Sequence, residues 1–249
     1  MNRLKYYTIF SKQNNNSIHL KLFSYFYRMK RILLIVCMLL GALAMEAQNG
    51  NIMLGIRAGH NTVQGGFAAV SLEAEHAFER HFSVNGGIQY NTIGNTAAEV
   101  RPAYFRDLKW GRLSAEAVLH YSNMYTLNNL AAGAGLALDT KWIFCRLGYY
   151  YRAFGESADW IKEPFNIYYT FGVSCLPNIP EWDLKLYATN CERFELERHY
   201  HPSLVIQSWF YPGKHLGFTL GVNYKPAGML HLSTNYYQVY TKAGICYRW

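Results

Sequence analysis

The chain has 249 residues, with 24 Lys and Arg against 16 Asp and Glu, a net charge of +8. Charged residues make up 16% of it and aromatic residues another 16%, including 21 Tyr and 14 Phe. This balance excludes a disordered chain, a collagen, a coiled coil and a multi-span helical membrane protein, and leaves an aromatic-rich β protein.

Met29-Lys30-Arg31 precedes fourteen uncharged residues, Ile32 to Met45, followed by the small-residue stretch around Ala44 and Ala47. Two positive charges, a short apolar run and small residues at a cleavage position predict a secretory signal peptide over 29–47. A spanning helix needs about 20 residues, so this run is too short for one, and a buried core helix is the competing reading. Signal peptides begin at the initiator Met. Residues 1–28 therefore read as a mis-called N-terminal extension, or else as an unusually long basic leader. Residues 48–249 are the mature domain. Removing 1–47 takes away seven Lys and Arg and one Glu, leaving 17 against 15 and a net charge of +2. The basic character belongs to the leader, and no basic stripe remains for a nucleic-acid partner.

From Gln48 onward the dominant period is two, which predicts strands. The first run sets Ile52, Leu54 and Ile56 against Met53, Gly55 and Arg57. The second sets Val70, Leu72 and Ala74 against Ser71, Glu73 and Glu75, and the third Val84, Ile88 and Tyr90 against Asn85, Gly87 and Gln89. A fourth, around 100–106, is disturbed by Pro102. The fifth sets Leu113, Ala117, Leu119 and Tyr121 against Glu116, His120 and Ser122. A sixth spans roughly 130–138. The seventh sets Cys145, Leu147 and Tyr149 against Arg146, Gly148 and Arg152, and the eighth Phe165, Ile167 and Phe171 against Tyr168, Thr170 and Gly172. The ninth sets Leu184 and Leu186 against Asp183 and Lys185. A tenth covers 203–210. The eleventh sets Phe218, Leu220 and Val222 against Gly217, Gly221 and Lys225, and the last Ala243, Ile245, Tyr247 and Trp249 against Lys242, Gly244 and Arg248.

Alternation alone suits a soluble sandwich as well as a membrane barrel. The segments run about ten residues, the reach of a tilted strand across a bilayer, and aromatic residues recur at the ends of the apolar faces, as in an interfacial girdle. Short connections are expected near 79–81, 109–111, 139–141, 178–180 and 212–214. Longer ones are expected near 60–66, 91–98, 122–129, 153–164, 190–202 and 226–237. Twelve strands with this alternation place both chain ends on the short-turn side. The mature chain therefore resembles a small Gram-negative outer-membrane β-barrel: all-β, transmembrane, antiparallel and up-and-down, with about 12 strands and a porin-like architecture. Ile245-x-Tyr247-x-Trp249 resembles the terminal signal by which such barrels are handed to the assembly machinery. The resemblance implies an outer-membrane location, termini in the periplasm, and lipid and the assembly machinery as partners. It fixes no function.

Few residues offer chemistry. Cys145 and Cys175 begin and end successive strands; a cross-strand disulfide is one reading, and two small apolar residues facing lipid the other. Cys191 and Cys246 read as unpaired. His120-Tyr121-Ser122 puts a base and a hydroxyl on one strand face, similar to the pair in outer-membrane phospholipase A and lipid A deacylases. Those families orient the His from a position twelve after the Ser, which here is Ala134, and they point the pair toward lipid, whereas here it points inward. His201-Pro202-Ser203 is a second match without a partner. His199 and His201 with Glu192, Glu195 and Glu197 read as a solvated charged loop. No metal site or cofactor motif follows.

The inward face is expected to carry Arg57, Arg146, Arg152, Lys185, Lys225, Lys242 and Arg248 against Glu73, Glu75, Glu116 and Asp183. Seven cations against four anions predict a basic wall over the last two strands and weak anion preference, reduced by Lys225→Glu with Lys242→Glu. Inward glycines relieve crowding within a curved barrel. The function readings are a narrow pore for small polar or anionic solutes, or a structural or surface role in the envelope. A lipid hydrolase using His120 and Ser122 is the alternative.

Overall fold

Within the strands, alternate residues are mostly apolar, so each strand can turn one side to hydrocarbon and the other to a polar interior. A computed structural model describes residues 49–62, 65–78, 81–92, 94–124, 127–156, 159–192, 194–196, 202–226 and 238–249. Residues 1–48, with the expected leader, lie outside the described residues.

The strands are β1 (Asn49–Asn61), β2 (Gly65–Phe78), β3 (Phe82–Asn91), β4 (Thr96–Leu108), β5 (Gly111–Met124), β6 (Leu127–Thr140) and β7 (Ile143–Glu156). They continue as β8 (Asp159–Ser174), β9 (Trp182–Thr189), the short pair β10 (Cys191–Glu192) and β11 (Glu195–Leu196), β12 (Ser203–Phe210), β13 (Leu216–Lys225) and β14 (Gln238–Arg248). All except β10 and β11 form one closed twelve-stranded barrel, each strand antiparallel to its neighbours. β1 and β14 close it, from Asn51↔Arg248 to Asn61↔Gln238. Closure matters because no water is available in hydrocarbon to satisfy an open edge.

The outer surface is apolar. Leu54, Ile56, Leu136, Leu147, Phe171 and Leu220 are all more than half exposed. Exposed aromatic residues gather at two levels. Tyr104, Trp110, Trp142, Trp182 and Tyr247 lie next to the chain ends and the β2–β3, β4–β5, β6–β7 and β8–β9 connections. Tyr90, Tyr121, Tyr151 and Tyr224 lie near the opposite rim. An apolar band between two aromatic girdles is a transmembrane surface.

Several strands are longer than the sequence suggests. β4 runs through Pro102, whose side chain sits on the outer face; the β4–β5 ladder skips Arg101 and Pro102, where the proline has no N–H to give. β8 begins at Asp159 and runs through Pro164, beside a one-residue register shift opposite Tyr150 and Arg152. A proline at a bulge leaves the strand intact. The connections expected as long near 122–129 and 153–164 are mostly strand, and those near 60–66 and 91–98 are about half strand.

The 190–202 connection differs from the rest. β9 and β12 are only eight residues each, and beyond Thr189 the chain turns into the barrel as the β10–β11 hairpin. Asn190 stands in for a continuing strand. Its Oδ1 accepts from the Tyr169 N–H at 2.7 Å, and its Nδ2 donates to the Ile167 carbonyl at 2.8 Å. The backbone of β8 is thus satisfied while the chain leaves the wall.

Candidate functional site

The candidate site is the lumen, and its charges are organised as cross-strand clusters. The deepest joins β4 and β5. Arg101 Nε donates to Glu99 Oε1 at 2.6 Å, while Glu99 Oε2 lies 3.3 Å from His120 Nδ1. All three are buried. Arg101 and Glu99 share one face because they are two residues apart on a strand, and His120 sits directly opposite Glu99 in the register.

A second cluster joins β5, β7 and β8. Arg146 Nε lies 2.9 Å from Glu116 Oε1, and the Tyr168 hydroxyl donates to the same oxygen at 3.0 Å. Tyr168 starts on β8, two strands beyond β6, and reaches Glu116 by lying flat over Gly148 and Gly135. A Cβ on either glycine would strike the tyrosine ring or its hydroxyl. The glycines thus make the contact.

A third cluster bridges the closing seam. Lys242 on β14 crosses β1 to reach Glu73 on β2 at 2.9 Å, and Ser71 Oγ donates to Glu73 at 3.2 Å. Arg57 is buried with its guanidinium 4.4 Å from the Tyr240 ring centre. Arg152 donates through Nε to Asn129 Oδ1 at 2.8 Å and lies 4.0 Å from Glu163. Asp183 and Lys185 pair at 3.1 Å.

Of the other expected lumen residues, Lys225 is fully buried. Glu75 is exposed at the chain-terminal mouth, where it accepts from Asn51 Nδ2 at 3.3 Å. Arg248 is exposed at the same mouth, its guanidinium 3.4 Å from the centre of the Tyr211 ring. Tyr211 lies in the β12–β13 connection, and burial pushes its phenol above its ordinary value. Ile245 and Tyr247, expected from the sequence to form an assembly signal with Trp249, face outward, and Trp249 stacks beside Tyr247.

The sequence reading misses Glu99, Arg101 and Glu163. The first two were hidden by Pro102 in a run that does alternate, Ala97-x-Glu99-x-Arg101-x-Ala103-x-Phe105. Glu163 stands beside Pro164 in a stretch read as loop. Adding one cation and two anions lowers the expected inward charge from three positive to two. Lys242 is paired with Glu73 and mostly buried and Lys225 is fully buried, so the accessible positive charge lies on Arg146, Lys185 and Arg248 rather than along a wall of β13 and β14.

His120 and Ser122, the residues of the catalytic alternative, have separate partners. His120 is engaged by Glu99, and Ser122 Oγ accepts from Asn129 Nδ2 at 3.0 Å; among the described residues no hydrogen bond joins the two. Ala134 is exposed on the outer face. The four described cysteines are free. Cys145 pairs in register with Phe171, four residues short of Cys175, so the strand offset keeps their sulfurs apart. His199, His201 and Glu197 lie outside the described residues, and no group of metal-ligating side chains is found among those described.

Below the hairpin is a cavity of about 280 Å³. Its lining runs from Asp139 and Trp209, next to the β6–β7 and β12–β13 connections, up to Cys191 and Glu192. Arg101, Arg146 and Lys185 bring positive charge to it. Tyr187 also lines it, and its hydroxyl donates to Gln207 Oε1 at 3.1 Å. This is a polar space, large enough for water, inside an apolar-coated wall.

No family model matches the chain, and no curated protein matches it in sequence. Among solved structures, the barrel resembles the NanC porin (TM-score 0.51, 13% identity, covering 78% of this chain and 98% of that one). It also resembles a KdgM porin in complex with disordered oligogalacturonate (TM-score 0.50, 12% identity, again 78% and 98%). At such identities the likeness is one of fold: the chain has a porin-like outer-membrane barrel architecture.

Proposed function

We propose that the chain is an exported barrel of a Gram-negative outer membrane that acts as a narrow passive pore for small polar solutes. Both termini lie on the periplasmic side, and residues 29–47 are its cleaved leader. The observation that supports this most directly is the inner wall, where paired charges surround a polar cavity inside a barrel coated with apolar side chains. Burying charge is costly unless it is paired or hydrated, and the partly exposed Arg146 and Lys185 at the cavity suit water in the lumen. The periplasmic assignment follows the short connections beside the chain ends. The outward Ile245 and Tyr247 of the last strand are suited to the assembly machinery, and the apolar belt to lipid. A non-conducting envelope barrel is the second reading, favoured by the hairpin that enters the lumen.

Liposome swelling separates the two. Vesicles carrying the refolded mature chain are placed in isotonic solutions of small neutral sugars and of small organic anions. Swelling at rates above protein-free vesicles, faster for the anions, is the expected result. No swelling in any solute would leave the scaffold reading in its place.

A further inference from the structure

We infer that the β10–β11 hairpin is the constriction of this lumen and that Phe194, at its tip, sets the size of solute that passes; the inference rests on the pore reading above. The hairpin leaves the wall at β9. Its tip meets the wall at β3, which lies six strands from β9 in either direction around the twelve-stranded barrel. A segment that joins opposite walls crosses the full width of the lumen.

Three contacts place it there. At the stem, Cys191 N donates to Thr189 Oγ1 at 3.1 Å, and Thr189 Oγ1 lies 2.8 Å from Thr170 Oγ1 on β8. From β4, next to β3, Arg101 Nη2 reaches the same Cys191 and donates to its Sγ at 3.3 Å. Cys191 is buried among Val118, Ala131, Tyr150 and Tyr168, inward side chains of four different strands. At the tip, Phe194 is buried, and a Cβ on Gly87 would lie 2.9 Å from its Cζ. Gly87 is therefore the notch that receives the ring.

The backbone shows that the position is specific. Phe194 has φ +66°, the only non-glycine residue with positive φ among those described. A bulky residue adopts that conformation only where its surroundings demand it. The wall backbone also keeps position 87 bare, since a Cβ there would lie 2.7 Å from the Leu72 carbonyl, and the ring on the insert fills the space left above that glycine. The stem contacts brace the hairpin, so it acts as a fixed narrowing rather than a swinging lid. Beneath it lies the 280 Å³ cavity, whose lining includes Cys191 and Glu192 from the hairpin itself.

The test measures single-channel conductance and the size limit for neutral polymers with the refolded mature chain and its Phe194→Ala and Gly87→Leu variants. Phe194→Ala removes the ring and keeps the hairpin; it is expected to raise conductance by about twofold or more and to admit larger polymers. A second readout covers loss of folding or of current. In chains with Cys145, Cys175 and Cys246 replaced by Ser, Cys191 is labelled with a charged thiol reagent. Labelling should be slow in the parent and faster by about tenfold in Phe194→Ala and Gly87→Leu, where the tip has lost its seat. If the parent conducts and Phe194→Ala changes neither size limit nor labelling, the constriction is elsewhere and the pore reading stands. If the parent is silent and Phe194→Ala conducts, the hairpin is a complete plug and the resting protein is not a pore. Silence in both, with unchanged labelling, overturns the inference and the pore reading together.

Discussion

Glu99 shows how much one lumen carboxylate organises. It accepts from Arg101, faces His120, and through Arg101 touches the sulfur that holds the hairpin. Removing it leaves a guanidinium buried without its partner, the arrangement in which an ion pair matters most. Glu99→Ala is expected to destabilise the barrel by about 3 kcal/mol in urea-driven unfolding from vesicles. Glu99→Ala with Arg101→Ala should cost clearly less than the two single changes combined, because the double variant leaves neither charge stranded. Additive costs would show that the pair is hydrated and uncoupled. The glycine floor under Tyr168 makes a separate residue-scale claim. Gly148→Val drives a side chain into the Tyr168 ring and should cost about 1–3 kcal/mol, while Tyr168→Phe should lose only the bond to Glu116, about 1 kcal/mol. Equal costs for both would mean that the ring does not lie over the glycines.

Each strand has a wet and a dry face, and the element-scale prediction is that the two respond differently to charge. Leu147, Phe171 and Leu220 stand in the apolar band. Arg at any of them should cost about 2–4 kcal/mol near the midplane and impair folding into bilayers. Leu at the inward neighbours Gly172 and Gly221 should cost through crowding alone, and a charged residue there should be no worse than Leu. If Arg were equally costly on both faces, the inside and outside of the wall would be misassigned. The faces were legible in the sequence because period two reports only which environment each side chain meets, and a barrel has two environments all the way round. Strand ends were less legible. Pro102 and Pro164 read as interruptions, yet one faces outward at a skipped ladder position and the other sits beside a bulge. The ion-pair partners were illegible for the same reason: Glu99, Arg101 and Glu163 stood in stretches whose prolines masked the alternation. The inserted hairpin left no periodic trace, since Phe194 lies between two-residue strands and its seat at Gly87 is more than a hundred positions away.

For the whole molecule, the charge count matters less than its distribution. The inward face holds an excess of positive groups, but Lys242 is engaged by Glu73 and Arg101 by Glu99. Arg146 and Lys185 at the cavity are paired too, with Glu116 and Asp183, but each keeps about a third of its side chain exposed, and Arg248 is exposed at the mouth. Anion preference should therefore be weak, and Lys185→Glu with Arg248→Glu should abolish or reverse it, whereas Lys242→Glu should chiefly destabilise the seam by setting two carboxylates side by side. Export belongs to the same scale. The leader reading predicts that protein from the membrane fraction begins between Met45 and Gln48, and a peptide from 1–28 in that fraction would contradict it. The central claim is that a water-filled path crosses this barrel, and planar-bilayer recording of the refolded mature chain under a salt gradient tests it most directly. The account predicts small discrete current steps with a reversal potential displaced toward the anion side. A bilayer that holds correctly folded protein and stays silent would contradict it, whereas a reversal potential on the cation side would overturn the charge assignment alone.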